Sequence, residues 1–502
     1  MFTTTIIDTF PLNTNIFKNS YFDLGQGFYQ PIKPTPVRSP ELLIYNQSLA
    51  DELDLADTDL ALSAGAAVFS GNHIPEGAQP LAMAYSGHQF GHFNPGLGDG
   101  RAVLLGQISS PDGSNFDIHM KGTGKTAFSR NGDGRAALGP VLREYLVSEA
   151  MIRLGVPTTR ALAAVSTGEA VYREQILPGG IITRVAASFV RIGTFEYFRT
   201  REDMASLTRL ADYVIEHQYP QLKHAENPYL GLLDAVIEGQ AALIAQWMHY
   251  GFIHGVMNTD NMSIACETID YGPCAFMDFY AHDRVFSSID HHGRYAYSNQ
   301  PNIGVWNLSR FAECLLPLID SEPDTAVKIA QQHLEKFIHS YQSHWLTGMR
   351  AKLGLKSESQ ADRKLIDELF ALMDSSNADF TLTFYHLSLL DMDAANDNTL
   401  LSLFDDSDAI AQWLAKWRRR LSEEGSENSS RKAGMRRLNP VYIPRNHLIE
   451  KAIRAAEDHG DLSVFHALHD VLQRPCEVQP GKEIYMQPPQ PDEIVHQTFC
   501  GT

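Results

Sequence analysis

Two short stretches carry oxygen donors at a spacing that suits a divalent metal and a phosphate chain. Asp260 and Asn261 stand together in GVMNTDNMS, and Asp270 follows nine residues later in IDYG. An Asn carbonyl and an Asp carboxylate are hard ligands. Magnesium needs only one or two of these from a protein, because nucleotide phosphates and water complete its shell. Asp260 adds a carboxylate beside Asn261, placed to meet an acceptor hydroxyl. The competing reading is a surface loop, since Asp and Asn both populate turns.

Cations that could face a polyphosphate lie upstream. Lys121 ends the strand candidate FDIHMKG (116–122), and Glu144 lies on the helix candidate that follows. A strand lysine that binds phosphate needs such a partner to stay oriented. Glu149 competes for that role. It lies five residues further on, roughly 500° round at about 100° per residue, so it points to another face. Arg184 and Arg191, seven residues apart in ITRVAASFVRIGT, would form a fork of donors on a polyphosphate. On one straight strand an odd separation puts them on opposite faces, so a bend is needed to unite them. Two solvated arginines are the alternative.

The spacing of the oxygen donors has a known frame. His254-Gly255-Val256-Met257-Asn258-Thr259-Asp260-Asn261 spans the same eight positions as H-R-D-x-x-x-x-N of protein-kinase catalytic loops, and Asp270-Tyr271-Gly272 stands in for D-F-G. Val256 occupies the place of the catalytic aspartate, and Asp260 could supply the carboxylate that Val256 cannot. No G-x-x-x-x-G-K-[ST] is present: Lys121-Gly122-Thr123-Gly124-Lys125-Thr126 ends in G-K-T, but its first glycine comes too late. Gly98-Asp99-Gly100-Arg101-Ala102 recurs as Gly132-Asp133-Gly134-Arg135-Ala136. The repeat marks two tight turns or two phosphate-facing loops.

These groups need a scaffold. AVLLGQI (102–108) and FDIHMKG (116–122) flank an Asp-Gly turn and are expected to pair as strands. Residues 137–154 carry helical periodicity and stop at Gly155-Val-Pro. Strands are expected at 160–176 and 180–191, short helices over 41–64, and mostly helix from 204 onward. The basic run 416–437 is expected to be a solvated face or internal packing, and 474–492, with five prolines, an extended tail. His88 and His92 flank a glycine-rich loop without a third ligand and are read as structural. The expected division is an extension (1–80), a nucleotide-binding part (81–200), a helical part with the catalytic and metal loops (201–400), and a carboxy-terminal extension (401–502).

Composition sets outer limits. In 502 residues the hydrophobic fraction is 44% and the charged fraction 20%, which suits a large packed core. Lys and Arg number 41 against 60 Asp and Glu, a net charge of −19, which disfavours general nucleic-acid or anionic-membrane binding. Five cysteines without a C-x-x-C pair exclude a disulfide scaffold and disfavour a zinc ribbon. The start, MFTTTIIDTFPLNTN, carries no basic and apolar secretory pattern. The stretch 241–257 is too broken for a membrane helix. A cytoplasmic protein is expected.

The long motifs SGHQFGHFNPGLGDGRA (86–102), MKGTGKTAFSRNGDGRAALGPVLREYLVSEAM (120–151), GVMNTDNMSIACETIDYGPCAFMD (255–278) and MRRLNPVYIPRNHLIEKAI (435–453) resemble the selenoprotein O family over nearly the full length. The resemblance implies an α+β, protein-kinase-like fold of two lobes. It implies ATP bound in reversed orientation, and transfer of AMP rather than phosphate to Ser, Thr or Tyr hydroxyls of proteins, with release of pyrophosphate. By motif, Asp260 resembles the proton acceptor, Asn261 and Asp270 the ligands of Mg2+ (or Mn2+), and Lys121, Arg184, Arg191 and Asp270 nucleotide contacts. Gly98, Gly100, Arg101, Asp133 and Gly134 resemble the rest of the nucleotide site, and Glu144 the lysine's partner. Eukaryotic members carry selenocysteine three residues from the end, where this chain has Cys500. A reversible disulfide between Cys500 and Cys274 is expected to couple the tail to the site. Two other functions compete with AMP transfer: an ATP-binding pseudokinase scaffold, favoured by Val256, and a small-molecule phosphotransferase. The fate of the α-phosphate separates the three.

Overall fold

The computed structural model describes residues 16–55, 60, 63–425 and 427–499. The Asp-Gly turn behaves as its sequence dictates. Ala102–Ser109 and Asn115–Lys121 pair antiparallel, from Ala102 opposite Lys121 to Ser109 opposite Asn115. Gly113 in the connection adopts φ +88°, a conformation that costs glycine little. This hairpin is the centre of a nine-stranded sheet. Seven strands run in the order Tyr29–Pro31, Leu81–Met83, Ala102–Ser109, Asn115–Lys121, Ile176–Ala186, Arg160–Tyr172 and Glu41–Tyr45, and the short Phe17–Lys18 and Ala136–Ala137 pair off this path.

Glu41–Tyr45 is a strand, not the helix expected over 41–64. ELLIY pairs along residues 163–166 as the sheet edge, and the partner overrides a weak local preference. Helices do form at Gln47–Glu52 and Ser63–Phe69. The strand candidates 160–176 and 180–191 become Arg160–Tyr172 and Ile176–Ala186. The second ends early because the chain leaves the sheet after Ala186, which supplies the bend that Arg184 and Arg191 require.

Alternation gives the sheet two different faces. Ile118 and Met120 join Val103, Leu105, Ile181 and Val185 in a core capped by the two short helices. The neighbouring positions Asp117, His119 and Lys121 belong to the other face. Helix Leu138–Arg153 packs on that side, its Val141, Leu142 and Tyr145 sharing a core with Ala164 and Ile182. Gly155, at φ +78°, ends this helix, and the Gly155 and Val156 amides donate back to the Ile152 and Met151 carbonyls.

The rest is mainly helical. Ile192–Arg199, Met204–Gln218, Pro228–His249 and Gln300–Ile319 extend the same core, and a second core forms around Trp413, Trp417, Phe380 and Phe384. The apolar stretch 241–257 is split: the helix ends at His249, the chain turns at Gly251 (φ +66°), and Phe252–Ile253 pairs with Ala275–Phe276. That small ladder fixes both ends of the segment that holds Asp260, Asn261 and Asp270.

The basic run divides: Lys416, Arg419, Arg436 and Arg437 are exposed, and other members pack inward. Arg420 donates to Asp362 at 2.8 Å and to Glu424 at 2.7 Å, and the buried Arg431 lies over the Trp417 ring. Helices Asn446–His459 and Ser463–Leu472 then return to pack on Leu138–Arg153. The proline-rich tail has one 3-10 turn, Glu483–Met486, and is pinned where Val441 and Tyr442 amides donate to the Pro475 carbonyl at 2.8 and 3.0 Å. No helix among the described residues is long and apolar enough to cross a membrane.

Candidate active site

Lys121 reaches the site because it is the last residue of its strand on the face turned to helix Leu138–Arg153. Its Nζ donates to Glu144 Oε2 at 2.6 Å and to Asp270 Oδ1 at 3.3 Å. Glu149 faces elsewhere, as its helical angle requires: it takes two hydrogen bonds from Arg160 and one from the Ala161 amide. Arg184, near the end of Ile176–Ala186, donates through Nη1 to Glu144 Oε1 at 3.0 Å and to Asp270 Oδ1 at 2.8 Å. Arg191 follows the break in the chain as the residue before helix Ile192–Arg199. Its Nη1 donates to Asp270 Oδ2 at 3.0 Å and to the Asp260 carbonyl at 2.7 Å.

Three cations therefore converge on two carboxylates, from two strand ends, the start of one helix, the body of another and a loop. The Arg184 and Arg191 side chains are 3% exposed, so solvent does little to screen them. Burial raises the Asp270 carboxyl, but Lys121, Arg184 and Arg191 together hold it well below its usual range. Burial likewise opposes ionisation of Glu144, and Lys121 and Arg184 outweigh it. Asp270 sits at φ +60°, an uncommon conformation that Asp tolerates better than most residues. The cluster carries one more positive than negative charge between these five groups, which is an environment ready for a polyphosphate.

Asp260 and Asn261 lie in the 3-10 turn Thr259–Asn261. The Asn261 amide nitrogen donates to the Val256 carbonyl at 2.9 Å. That bond uses the amide nitrogen and leaves the amide oxygen, a hard donor of the same kind as the Asp270 carboxylate. No group of three or more His, Cys, Asp or Glu among the described residues could hold a metal. The donor chemistry here fits an ion that takes its remaining ligands from phosphate and water, as magnesium or manganese does.

Asp260 differs from its expectation in one respect. The competing expectation is a surface loop, whereas Asp260 is 7% exposed. Burial pushes its carboxyl up to about 7, against the pull of Arg191. A carboxylate of that basicity is suited to accept a proton near neutral pH.

The hairpin Gly87–Gln89/His92–Asn94 covers this turn. The His88 amide donates to Thr259 Oγ1 at 2.7 Å, the Phe90 amide to Asn258 Oδ1 at 3.0 Å, and Gln89 Nε2 to Asp260 Oδ2 at 3.4 Å. A Cβ on Gly87 would lie 2.4 Å from Asp260 Oδ1, so only glycine permits this approach. Glu196 links the two layers, accepting from Thr259 Oγ1 at 2.6 Å and lying 2.5 Å from His88 Nδ1. His88 is thus structural, as its sequence context indicates.

The two Gly-Asp-Gly-Arg strings meet around the loop that follows Lys121. Thr126 Oγ1 donates to the Asp99 carbonyl at 2.6 Å, Ser129 Oγ to the Gly100 carbonyl, and the Gly124 amide to the Gly134 carbonyl at 2.9 Å. The Arg101 carbonyl receives the Gly122 amide at 2.7 Å, so Gly98, Gly100, Arg101 and Gly134 ring one loop. Asp133 lies at its outer edge, paired with Arg173 at 2.8 Å and 43% exposed. Gly134 has φ +69°, and a Cβ there would meet the Gly124 oxygen at 2.1 Å. Gly134→Ala is expected to destabilise the protein by about 1–3 kcal/mol, read as a lower urea midpoint with an unchanged slope.

One positioning residue, His119, belongs to no motif. His119 Nδ1 lies 2.9 Å from Arg184 Nη2, and its Nε2 lies 3.1 Å from Asp99 Oδ2. Asp99 in turn accepts the Met83 amide at 3.0 Å. This chain fixes the back of the Arg184 guanidinium. The signal was present in FDIHMK, where alternation puts Asp117, His119 and Lys121 on one face.

Cys274 is fully buried, and its thiol is pushed up to about 11 by burial. Cys500 lies outside the described residues. The tail nevertheless reaches this neighbourhood: Thr498 pairs with Ser287, and its Oγ1 donates to the Pro273 carbonyl at 2.5 Å.

Comparison with known proteins gives consistent similarities. The family model described as protein adenylyltransferase SelO matches residues 11–473. A protein nucleotidyltransferase YdiU of Rhizobium etli is 58% identical over 486 residues, covering 97% of both chains. Proteins of the same description from Rhizobium meliloti and a Bradyrhizobium species are 57% and 54% identical, each covering 97% of this chain and 99% of the relative.

Proposed function

The chain belongs to the protein adenylyltransferase SelO family, and on that premise we propose that it transfers AMP from ATP to Ser, Thr or Tyr hydroxyls of proteins, releasing pyrophosphate. The observation that carries this reading is the charge arrangement. Lys121, Arg184 and Arg191 converge on Asp270, and Arg191 also binds the backbone of Asp260. Cations for a leaving pyrophosphate and a buried carboxylate for an acceptor hydroxyl are thereby joined in one constellation.

The architecture we assign is kinase-like: a nucleotide-binding lobe at 81–200 and a helical lobe at 201–400, with extensions at 1–80 and 401–502. The sheet ends at Lys121 and Arg184 would form the roof of the nucleotide site, and the turn Thr259–Asn261 its floor. The loop ringed by Gly98, Gly100, Arg101, Asp133 and Gly134 would complete it. Asn261 and Asp270 would hold Mg2+ or Mn2+, which when bound neutralises phosphate charge and polarises the bond to the leaving group.

Asp260 accepts the acceptor's proton, with its basicity set by burial. Lys121 is held by Glu144, and Arg184 by Glu144 and the His119–Asp99 pair, so neither cation must reorganise as charge develops on the leaving oxygens. Val256, which takes the place of the usual kinase aspartate, is 7% exposed and contributes to the apolar core. The same docking of Thr498 beside Pro273 supports a redox link between Cys274 and Cys500, coupling the tail to the segment after Asp270.

Product analysis tests the reaction. The purified protein, offered ATP, magnesium and a mixture of Ser-, Thr- and Tyr-containing peptides, is expected to release pyrophosphate in proportion to modified peptide. ADP as the stoichiometric product would identify phosphoryl transfer instead.

A further inference from the structure

The bend that unites Arg184 and Arg191 lies outside the sheet. Strand Ile176–Ala186 ends where the bend begins, so the ladder can no longer fix the backbone there. Side chains take over. The Ala187 amide donates to Glu267 Oε2 at 3.1 Å, and the Ala187 carbonyl accepts from Gln218 Nε2 at 2.9 Å. The Phe189 amide donates to Asp117 Oδ2 at 3.0 Å, and the Val190 amide to Ser188 Oγ at 3.1 Å. Asp117 lies on strand Asn115–Lys121, Gln218 ends helix Met204–Gln218, and Glu267 lies in the loop before Asp270. The bend is therefore tied to three separate parts of the fold.

Asp117 is the costly member of this set. It is 1% exposed, and its other oxygen accepts from Gln107 Nε2 at 2.9 Å. Burial pushes its carboxyl up to about 6, and no cation among the described residues offsets that shift. A buried carboxylate without a counter-charge works against the fold. What it provides in return is a fixed place for Phe189, and Phe189 is where the two arginines meet. The Phe189 ring is fully buried, and the His119 ring stacks on it with centroids 4.3 Å apart. Arg184 Cζ lies 5.0 Å from the same centroid. Arg191 Nε donates to the Phe189 carbonyl at 3.4 Å. One residue thus touches Arg184 through its ring and Arg191 through its backbone.

We propose that Phe189, held in place by Asp117, is a positioning residue that fixes the spacing of Arg184 and Arg191 for the phosphate chain of ATP. The inference rests on the adenylyltransferase reading, which gives those arginines to the phosphates. Phe189 and Asp117 act through the two guanidiniums and touch no nucleotide themselves. Two long side chains held at a set spacing lose little freedom when a polyphosphate binds, so the arrangement strengthens binding through preorganisation. Asp117, His119 and Lys121 share one face of strand Asn115–Lys121, so the same strand that holds Phe189 also places the third cation.

The test uses the full-length protein and reads the affinity for inorganic triphosphate by calorimetry, with a chelator present. Phe189→Leu keeps an apolar side chain and removes the ring. It is expected to weaken triphosphate binding by about fivefold to tenfold, the scale of a desolvated cation–π contact. Leu369→Ala, a truncation in the second core, is the structural control. It is expected to lower the urea midpoint and leave triphosphate affinity within about twofold of wild type. Asp117 gives a second, independent pair. Asp117→Asn still offers one oxygen to the Phe189 amide and is expected to keep most of the affinity, whereas Asp117→Leu offers none and is expected to match Phe189→Leu. Unchanged affinity in Phe189→Leu, or equal losses in Phe189→Leu and Leu369→Ala, would overturn the proposal. Should Phe189→Leu fail to fold, equal affinities in the two Asp117 variants would overturn it. Absence of triphosphate binding in the wild type would strike both the proposal and the phosphate site. The expected pattern of affinities without AMP transfer to any peptide or extract protein would keep the proposal and strike the adenylyltransferase reading alone.

Discussion

Asp270→Ala is expected to reduce AMP transfer by at least about a thousandfold, the scale on which loss of a principal electrostatic element acts in phosphorus chemistry. The side chain has two roles in this account. It supplies one of the two protein ligands for the metal, and it is the carboxylate on which Lys121, Arg184 and Arg191 meet. Removing it ends the first role and releases the three cations from the second. ATP binding without metal is therefore expected to persist or tighten in the variant, since the freed cations can turn fully to phosphate, while transfer collapses. Calorimetric titration of ATP in the presence of a chelator, set beside the transfer rate with magnesium, reads both effects. A variant that loses ATP binding and transfer together would show that Asp270 merely holds the site's shape.

Glu144→Ala is expected to act mainly on stability, with a loss of about 3–5 kcal/mol, the range for breaking a buried ion pair by removing one partner. Glu144 is 3% exposed and takes Lys121 and Arg184 on separate oxygens, at 2.6 and 3.0 Å. Without it, Asp270 is the one carboxylate left to both cations, and His119 still holds the back of Arg184. The pH dependence follows from the same pair. Glu144 and Asp270 are held below their ordinary range in the folded protein, so each contributes stability above its unfolded pKa. That contribution fades as the pH falls below about 4.5 and through the folded values. Urea unfolding from pH 7 to pH 3 is expected to show a steeper acid loss for the wild type than for Glu144→Ala.

The parts of this site that could be read from sequence are those whose chemistry is local. The eight-residue frame from His254 to Asn261 and the Asp270 triplet needed only spacing, because a short ladder at Phe252–Ile253 and Ala275–Phe276 holds them together. The helical angle shows that Glu144 and Glu149 face different ways, and the family resemblance chooses Glu144 between them. The meeting of Arg184 and Arg191 could not be read, because it depends on where a strand leaves its sheet. Nor could the strand at Glu41–Tyr45, whose partner lies more than a hundred residues away. The basicity of Asp260 was hidden for the same reason: its burial comes from Gly87 and Gln89, residues remote in sequence.

The account stands or falls on which phosphate reaches protein. The purified chain should be given ATP labelled at the α-phosphate and, in parallel, at the γ-phosphate, with magnesium and a cell extract. Asp270→Ala serves as the control. Protein-bound α-label that disappears in the variant, with no protein-bound γ-label, is the predicted result. Protein-bound γ-label without α-label would contradict AMP transfer and make the cations around Asp270 a site for phosphoryl transfer.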